Sequence, residues 1–137
     1  MIRKGTYILT MTLTSEIQME VGRLGSITFP AGEYCYVGSA MNGLDQRIGR
    51  HLSKEKKMRW HIDRLTMAAD RTEAFESSSD PVPECTLAHM AEEAGGTPFA
   101  DGFGCSDCGC RTHLFLLDKE VRERLTAVAG LVPHVLR

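Results

Sequence analysis

The sequence contains no run of about 18 apolar residues, so nothing in it predicts a membrane-spanning helix. Its first residues, Met1-Ile2-Arg3-Lys4-Gly5, lack the apolar core and the cleavage site of a signal peptide. The sequence also contains no internal repeat, low-complexity tract or interdomain linker. Together with a length of 137 residues, these absences predict one domain, residues 1–137, in a cytoplasmic protein with no membrane partner.

An overall positive charge is also missing. The formal net charge is −2, which argues against a generally basic nucleic-acid-binding protein. The charge is unevenly distributed, because residues 45–64 hold seven basic side chains against three acidic ones. A local cationic face suits a polyanion at one site only, although a solvated surface without a partner would have the same composition. The candidate nucleic-acid ligands in this segment are Arg50, Lys54, Lys56, Lys57 and Arg59.

Two matched Cys-x-x-Cys units, a common mark of a zinc site, are absent as well. In a reducing cytoplasm the five cysteines are expected to be thiols or metal ligands rather than disulfides. Free thiols in a glycine-rich loop are the interpretation we favour. Zinc is the alternative, because cysteines of that loop and of the preceding helix could together supply four ligands. The candidate zinc ligands are Cys85, Cys105, Cys108, Cys110 and His113.

Apolar patterning and turn residues predict an α+β domain, a small and mainly antiparallel sheet flanked by helices. The connections in the first half are too short for helical crossovers, which favours antiparallel pairing. Trp60 is expected to face the core. The predicted strands are residues 5–13, 18–21, 27–29, 34–40, 72–76 and 113–117, and the predicted helices are residues 44–52, 58–67, 83–93 and 118–128.

One stretch concentrates polar side chains that can do chemistry. A short apolar strand, Tyr34–Ala40, leads through Asn42 and Gly43 into the helix that begins at Leu44. Arg47 and His51 are four residues apart on that helix, so they share one face of it. A strand-end tyrosine, a turn, and a helix presenting an arginine and a histidine predict a functional site here.

These residues resemble a known family. Gly5-Thr6-Tyr7 and Tyr36-Val37-Gly38 resemble the paired signature of the GIY-YIG nuclease superfamily. Arg47-x-x-x-His51 then stands where that superfamily keeps an arginine and, in several branches, a histidine.

The chain resembles one branch of this superfamily, the domain of unknown function 123, in more motifs than the two tyrosine signatures. Its members carry a long insert between the two tyrosine motifs, a Trp-His-Ile-Asp segment and a C-terminal Gly-Phe-Gly run with cysteines and a histidine. This chain has Trp60-His61-Ile62-Asp63, and a matching run extends from Gly102 to Phe115. The resemblance covers about residues 4–117 and implies a GIY-YIG-like fold with an inserted hairpin.

The resemblance implies a one-metal hydrolysis of DNA. Tyr36 would be the general base, Tyr7 its neighbour and Arg47 the phosphate clamp, since a planar guanidinium matches two phosphate oxygens. His51 would assist proton transfer or orient Tyr36. Glu84, at a predicted helix start, matches the superfamily's metal-ligating glutamate, and one Mg²⁺ or Mn²⁺ would be its ion. Because a tyrosine pKa near 10 makes a poor base at neutral pH, a nearby cation must favour the phenolate.

Two positions depart from the superfamily. Ser39 stands where a lysine is common, and residues 93–97 lack an asparagine that many members keep. Ser106, Asp107 or His113 could supply the missing polar group. The leading expectation is a divalent-metal-dependent endonuclease that acts on structured or double-stranded DNA, with a repair protein as a candidate partner. The alternatives are a non-catalytic nucleic-acid-binding module that retains the fold, and a zinc-stabilised interaction domain.

Overall fold

The computed structural model of the chain describes residues 3–58, 60–78, 80–105 and 109–135. The longest helix in this part of the chain has 11 residues, and no helix there is both long and apolar enough to cross a bilayer. In chain order the elements are β1 (Gly5–Leu13), β2 (Ile17–Glu20), a short 3-10 helix (Gly22–Leu24), β3 (Ser26–Phe29), β4 (Gly32–Ala40), α1 (Leu44–Leu52), α2 (His61–Ala68), β5 (Arg71–Ser78), α3 (Glu84–Glu93), β6 (Thr97–Pro98), β7 (Leu114–Leu117), α4 (Lys119–Ala129) and β8 (Val132–Pro133).

Six strands form one sheet in the order β6-β7-β4-β1-β5-β8, with antiparallel pairing between neighbours. β2 and β3 form a separate hairpin between the two tyrosine motifs, where the insert is predicted. The predicted α+β class, a mainly antiparallel sheet flanked by helices, is confirmed. The sequence pattern does not predict β6 or β8, because two residues are too few to show a periodicity.

The two faces of the sheet carry different layers, since successive strand residues point to opposite sides. On one face Tyr7, Leu9 and Met11 of β1 pack with α1, α2 and the β2–β3 hairpin. On the other face Ile8 of β1 and Val37 of β4 pack against α3 and α4. Both faces are therefore covered, and Tyr7 lies on the same side of the sheet as α1.

The start of α1 is fastened to the sheet. The backbone N–H of Leu44 donates to the carbonyl oxygen of Arg3 at 2.8 Å. The Arg3 guanidinium in turn donates to Asp45 of α1 (Nε to Oδ2, 2.8 Å) and to Glu76 of β5 (Nη1 to Oε1, 2.7 Å). These bonds tie α1 to β5, so the side chains further along α1 have a defined position over the strands.

The prediction that Trp60 faces the core was wrong, and α2 begins three residues later than predicted. Trp60 has an extended backbone (φ −115°, ψ 158°), and its N–H donates to Asp63 Oδ2 at 2.9 Å. A carboxylate that accepts from the residue before the first helical turn defines the start of a helix. Trp60 therefore precedes α2, and its side chain is 39% exposed.

Candidate active site

A cleft of about 850 Å³ lies on the side of the sheet that α1 and α2 cover. Its wall includes residues of β1, β4 and α1, together with residues 21–24, 60–62 and 102–105. Four side chains that the resemblance assigns to catalysis line this cleft together: Tyr7, Tyr36, Arg47 and His51. Two phenols, a guanidinium and an imidazole from three separate segments thus share one cavity.

The position of the Tyr7 hydroxyl depends on a glycine across the sheet. Tyr7 of β1 is paired with Gly38 of β4 and is only 2% exposed. A Cβ atom at residue 38 would lie 2.5 Å from the Tyr7 hydroxyl oxygen and 2.6 Å from Cζ, which is closer than any real contact. The glycine of the Tyr36-Val37-Gly38 motif therefore provides the space that the Tyr7 phenol occupies.

Tyr7 and His51 form a buried pair. The Tyr7 hydroxyl oxygen lies 2.9 Å from His51 Nε2. Burial, reinforced by the positive charge of Lys56, lowers the pKa of His51 to about 4, so its imidazole is neutral at pH 7. Burial also raises the pKa of Tyr7 well above its ordinary value. A neutral imidazole beside a protonated phenol can accept its proton, and the two groups can pass a proton between them.

Tyr36 is the more accessible of the two phenols. Its ring meets His51 and Phe103 edge to face, with centroid separations of 6.4 and 6.2 Å. Gly104 packs on the same ring: it has φ +74°, and a Cβ there would lie 2.9 Å from Tyr36 Cε1. Burial and the negative charge of Glu84 raise the pKa of Tyr36 to about 12, whereas Arg47 opposes that rise. At neutral pH the Tyr36 phenol is therefore protonated.

Arg47 lies between the tyrosines and Trp60. Its Nη1 donates to the carbonyl oxygen of Ser39 at 3.3 Å, a long bond that uses one of five guanidinium N–H donors. Its Cζ lies 4.8 Å from the centroid of the Trp60 ring, and the Cζ of Arg50 lies 4.5 Å from it. Arg47 also lowers the pKa of Tyr7 and Tyr36 against the effect of burial. A guanidinium placed this way can bind an anion and stabilise a phenolate.

Glu84, the first residue of α3, is joined to the cleft through Ser39. Its Oε1 accepts a hydrogen bond from Ser39 Oγ at 2.6 Å, while the Ser39 carbonyl accepts from Arg47. Its Oε2 lies 2.8 Å from His113 Nδ1. The bonds from His113 and Ser39 lower the pKa of Glu84 against the effect of burial, so the carboxylate is ionised at neutral pH.

The Glu84 carboxylate fits a hard divalent cation. Two carboxylate oxygens offer about four lone-pair sites, and the two protein donors engage one on each oxygen. Mg²⁺ commonly binds one or two carboxylates, keeps several waters and adds oxygens of a phosphate. Glu84 could serve as such a carboxylate, because it is joined through Ser39 to a cleft that contains Arg47.

Most of the basic residues considered as nucleic-acid ligands make internal contacts. Arg50 donates through two nitrogens to the fully buried Asp63, at 2.8 Å each. Lys54 donates to three carbonyl oxygens at the end of α2, and Lys56 donates to two carbonyl oxygens at the end of α1. Lys57 is exposed, and Arg59 lies outside the described residues. A role for these five residues in nucleic-acid binding stays a prediction.

The candidate zinc ligands separate into two places. Ligand atoms of Cys85, Cys110 and His113 lie within 4.8 Å of one another. Cys105 instead belongs to the wall of the cleft, and Cys108 lies outside the described residues. The structure therefore assembles three of the five candidates.

Sequence patterning alone misses two features of the cleft. Trp60 lines it and stacks with both arginines instead of entering the core. Ser39, notable in the sequence only as a departure from a lysine, connects Arg47 to Glu84. A tryptophan within a run of basic residues was the available signal for the first feature. The second depends on where α3 meets β4, which no local pattern indicates.

Comparison with known proteins assigns the chain to a family. No curated protein and no solved structure matches it. A family model matches residues 6–133, nearly the whole chain and every cleft residue discussed above. The chain belongs to the family described as domain of unknown function DUF123.

Proposed function

We propose that this protein is a divalent-metal-dependent endonuclease that hydrolyses phosphodiester bonds in DNA, with a site of the GIY-YIG type. One observation carries the proposal: two tyrosines, an arginine and a histidine line a single cleft, and an ionised glutamate is joined to it through Ser39. Phosphodiester hydrolysis requires a cation for the phosphate, groups that move protons, and a ligand for a metal ion. All three kinds of group are present within this site.

Arg47 binds the scissile phosphate in this proposal. Its guanidinium lies in the cleft and carries N–H donors in a planar fork that matches two phosphate oxygens. Negative charge grows on those oxygens as the attacking water adds, so a fixed cation there stabilises the transition state more than the ground state.

Tyr36 takes the proton of the attacking water, because it is the phenol that is exposed to the cleft. With a pKa of about 12, forming its phenolate at pH 7 costs about 7 kcal/mol. That cost is too large for an isolated side chain, so the phenol becomes a base only when positive charge accumulates around it. Arg47 already acts in that direction. The Tyr7–His51 pair, whose imidazole meets the Tyr36 ring edge to face, can pass a proton between its own two groups.

Glu84 would hold the divalent cation, Mg²⁺ or Mn²⁺. When bound there, the ion would supply a Lewis acid for the charge that develops on the phosphate and leaving oxygens. The carboxylate is ionised and held by Ser39 and His113, so it is prepared for a cation without rearrangement.

The proposal is tested by incubating the purified protein with branched, nicked and linear DNA in the presence of Mg²⁺ or Mn²⁺. Tyr36→Phe and Glu84→Gln are expected to lower the cleavage rate by about 10²- to 10⁴-fold, since each removes a group that acts in the transition state. Matched controls are Tyr34→Phe on the same strand and Glu92→Gln on the same helix, which lie outside the cleft. Cleavage that survives both cleft substitutions would assign the activity to a contaminant or to another site.

A second candidate is a nucleic-acid-binding module without catalysis, and the exposed Trp60 favours it. Its ring stacks with the guanidiniums of Arg47 and Arg50, which makes a platform suited to an unpaired base beside a phosphate. This candidate predicts salt-sensitive binding of DNA that Trp60→Ala weakens by about 5- to 150-fold, the equivalent of 1–3 kcal/mol. Absence of turnover with either metal, together with such binding, would select the module over the endonuclease.

A further inference from the structure

A second metal centre is suggested by Cys85, Cys110 and His113. They come from α3 and from the segment before β7, yet their ligand atoms lie within 4.8 Å of one another. In a tetrahedral centre with metal–ligand distances of about 2.0–2.3 Å, neighbouring ligand atoms are about 3.6–3.8 Å apart. The three side chains are therefore within about 1 Å of the geometry that such a centre needs.

The donor set is selective for a soft or borderline metal. Thiolate sulfur and imidazole nitrogen are the usual ligands of Zn²⁺, whereas Mg²⁺ prefers oxygen. Binding would displace the two thiol protons, and the charge of two thiolates then balances that of Zn²⁺. A centre without net charge can be partly buried at little electrostatic cost, which matches the half-buried cysteines and the 1% exposure of His113.

The environment of His113 is that of a metal ligand. Its Nδ1 lies 2.8 Å from Glu84 Oε2, so one ring nitrogen faces a carboxylate. Histidines that bind metals almost always donate their other ring N–H to a carboxylate or carbonyl, because that bond fixes the tautomer and the ring orientation. Glu84 is itself held by Ser39 Oγ at 2.6 Å, so the orienting carboxylate has a defined position.

We propose that Cys85, Cys110 and His113 bind a zinc ion that holds residues 110–113 against α3, with Glu84 orienting His113. The site is distinct from the divalent cation proposed for the cleft, and it does not depend on nuclease activity. Glu84 would serve both sites, so zinc would also help to fix the carboxylate that is proposed to hold the divalent cation.

The test begins with untagged protein, purified under reducing conditions without chelator, whose metal content is measured by mass spectrometry. We expect about one zinc ion per chain, a lower melting temperature after removal of zinc by a chelator, and recovery when zinc alone is restored. Substitution by Co²⁺ is expected to produce thiolate-to-cobalt absorption, which reports cysteine ligation in the folded wild-type protein. Wild-type protein that contains no zinc, and whose melting temperature does not respond to a chelator or to added zinc, would overturn the proposal.

Variants then test which residues are ligands. Cys85→Ser and Cys110→Ser are expected to lose zinc, whereas Cys105→Ser, a matched change in the wall of the cleft, is expected to retain it. Glu84→Gln is expected to weaken zinc affinity by about 10- to 100-fold in competition with a chelator, as the loss of an orienting carboxylate does. Equal loss of zinc in all three cysteine variants would refute this ligand set, and so would a Cys85–Cys110 disulfide in the intact mass of the wild type.

Discussion

Substitution of Gly38 by alanine should push the Tyr7 phenol out of its place. Gly38 lies within β4 and has an ordinary strand backbone, so alanine is not excluded by its dihedral angles. The added Cβ would meet the Tyr7 hydroxyl oxygen at 2.5 Å, Cζ at 2.6 Å and Cε2 at 3.0 Å. The ring must then move away from residue 38, and its contact with His51 must lengthen.

The cost can be estimated from that geometry. Adding a methyl group to a well-packed interior destabilises by about 1–3 kcal/mol. Restriction of the unfolded chain by alanine offsets about 0.4–1 kcal/mol of this. For a chain of this size 1 kcal/mol corresponds to about 4 °C, so we expect the melting temperature of Gly38→Ala to fall by up to about 10 °C.

The matched control is Gly49→Ala, the same chemical change on α1. A Cβ at residue 49 would have no atom within 4 Å outside the helix itself, so this variant is expected to gain up to about 1 kcal/mol from helix propensity. The assays are thermal and urea denaturation of both variants, repeated for Gly38→Ala in a Tyr7→Ala background, where the penalty should disappear. A Gly38→Ala variant as stable as Gly49→Ala, or a penalty that persists without Tyr7, would refute the steric argument.

Three further predictions concern ionisable side chains. Unfolded His51 binds a proton below about pH 6.5, whereas folded His51 binds one only below about pH 4. The contribution of the neutral imidazole to the free energy of unfolding is therefore complete above pH 6.5, and it falls by about 3 kcal/mol as the pH drops to 4. Denaturation from pH 4 to 7.5 should show a shallower loss for His51→Gln than for wild type, and parallel curves would contradict this. Lys54→Met should cost about 1–2 kcal/mol, because Lys54 donates to carbonyls of Thr66, Met67 and Ala69, whereas Lys57→Met should change stability by less than about 0.5 kcal/mol. Lys57→Met should instead lower the slope of log K for DNA binding against log salt concentration by about one unit. A loss of stability in Lys57→Met, together with a lower salt slope in Lys54→Met, would refute both roles.

Local patterns were sufficient for the main elements of the fold. β1, β4 and α1 begin and end close to the predicted residues because each shows its own periodicity of apolar side chains. The placement of Arg47 and His51 on one helix face also follows from their spacing of four residues. The α+β class could be predicted for the same reason, since short connections between strands restrict the sheet to antiparallel pairing.

Exposure of side chains was harder to predict. Trp60 was expected in the core on apolar character, but the Asp63 carboxylate begins α2 after it, so the ring stays outside the helix and stacks with Arg50. Lys54 and Lys56 lie in a basic stretch of sequence that is typical of a solvated surface. Their ammonium groups nevertheless donate hydrogen bonds to carbonyl oxygens at the ends of α2 and α1. Both outcomes depend on how two helices pack, which the segments do not encode separately.

The sequence by itself determined which residue types are available: two tyrosine motifs, an arginine and a histidine one helical turn apart, and a cluster of cysteines. Only the tertiary structure decided which of them meet. The register of β1 against β4 places Tyr7 over Gly38, and the approach of α3 to β4 and β7 brings Glu84 to Ser39 and His113. Contacts between residues tens of positions apart depend on strand register and helix packing, and these are set by the burial of the whole core rather than by any local pattern.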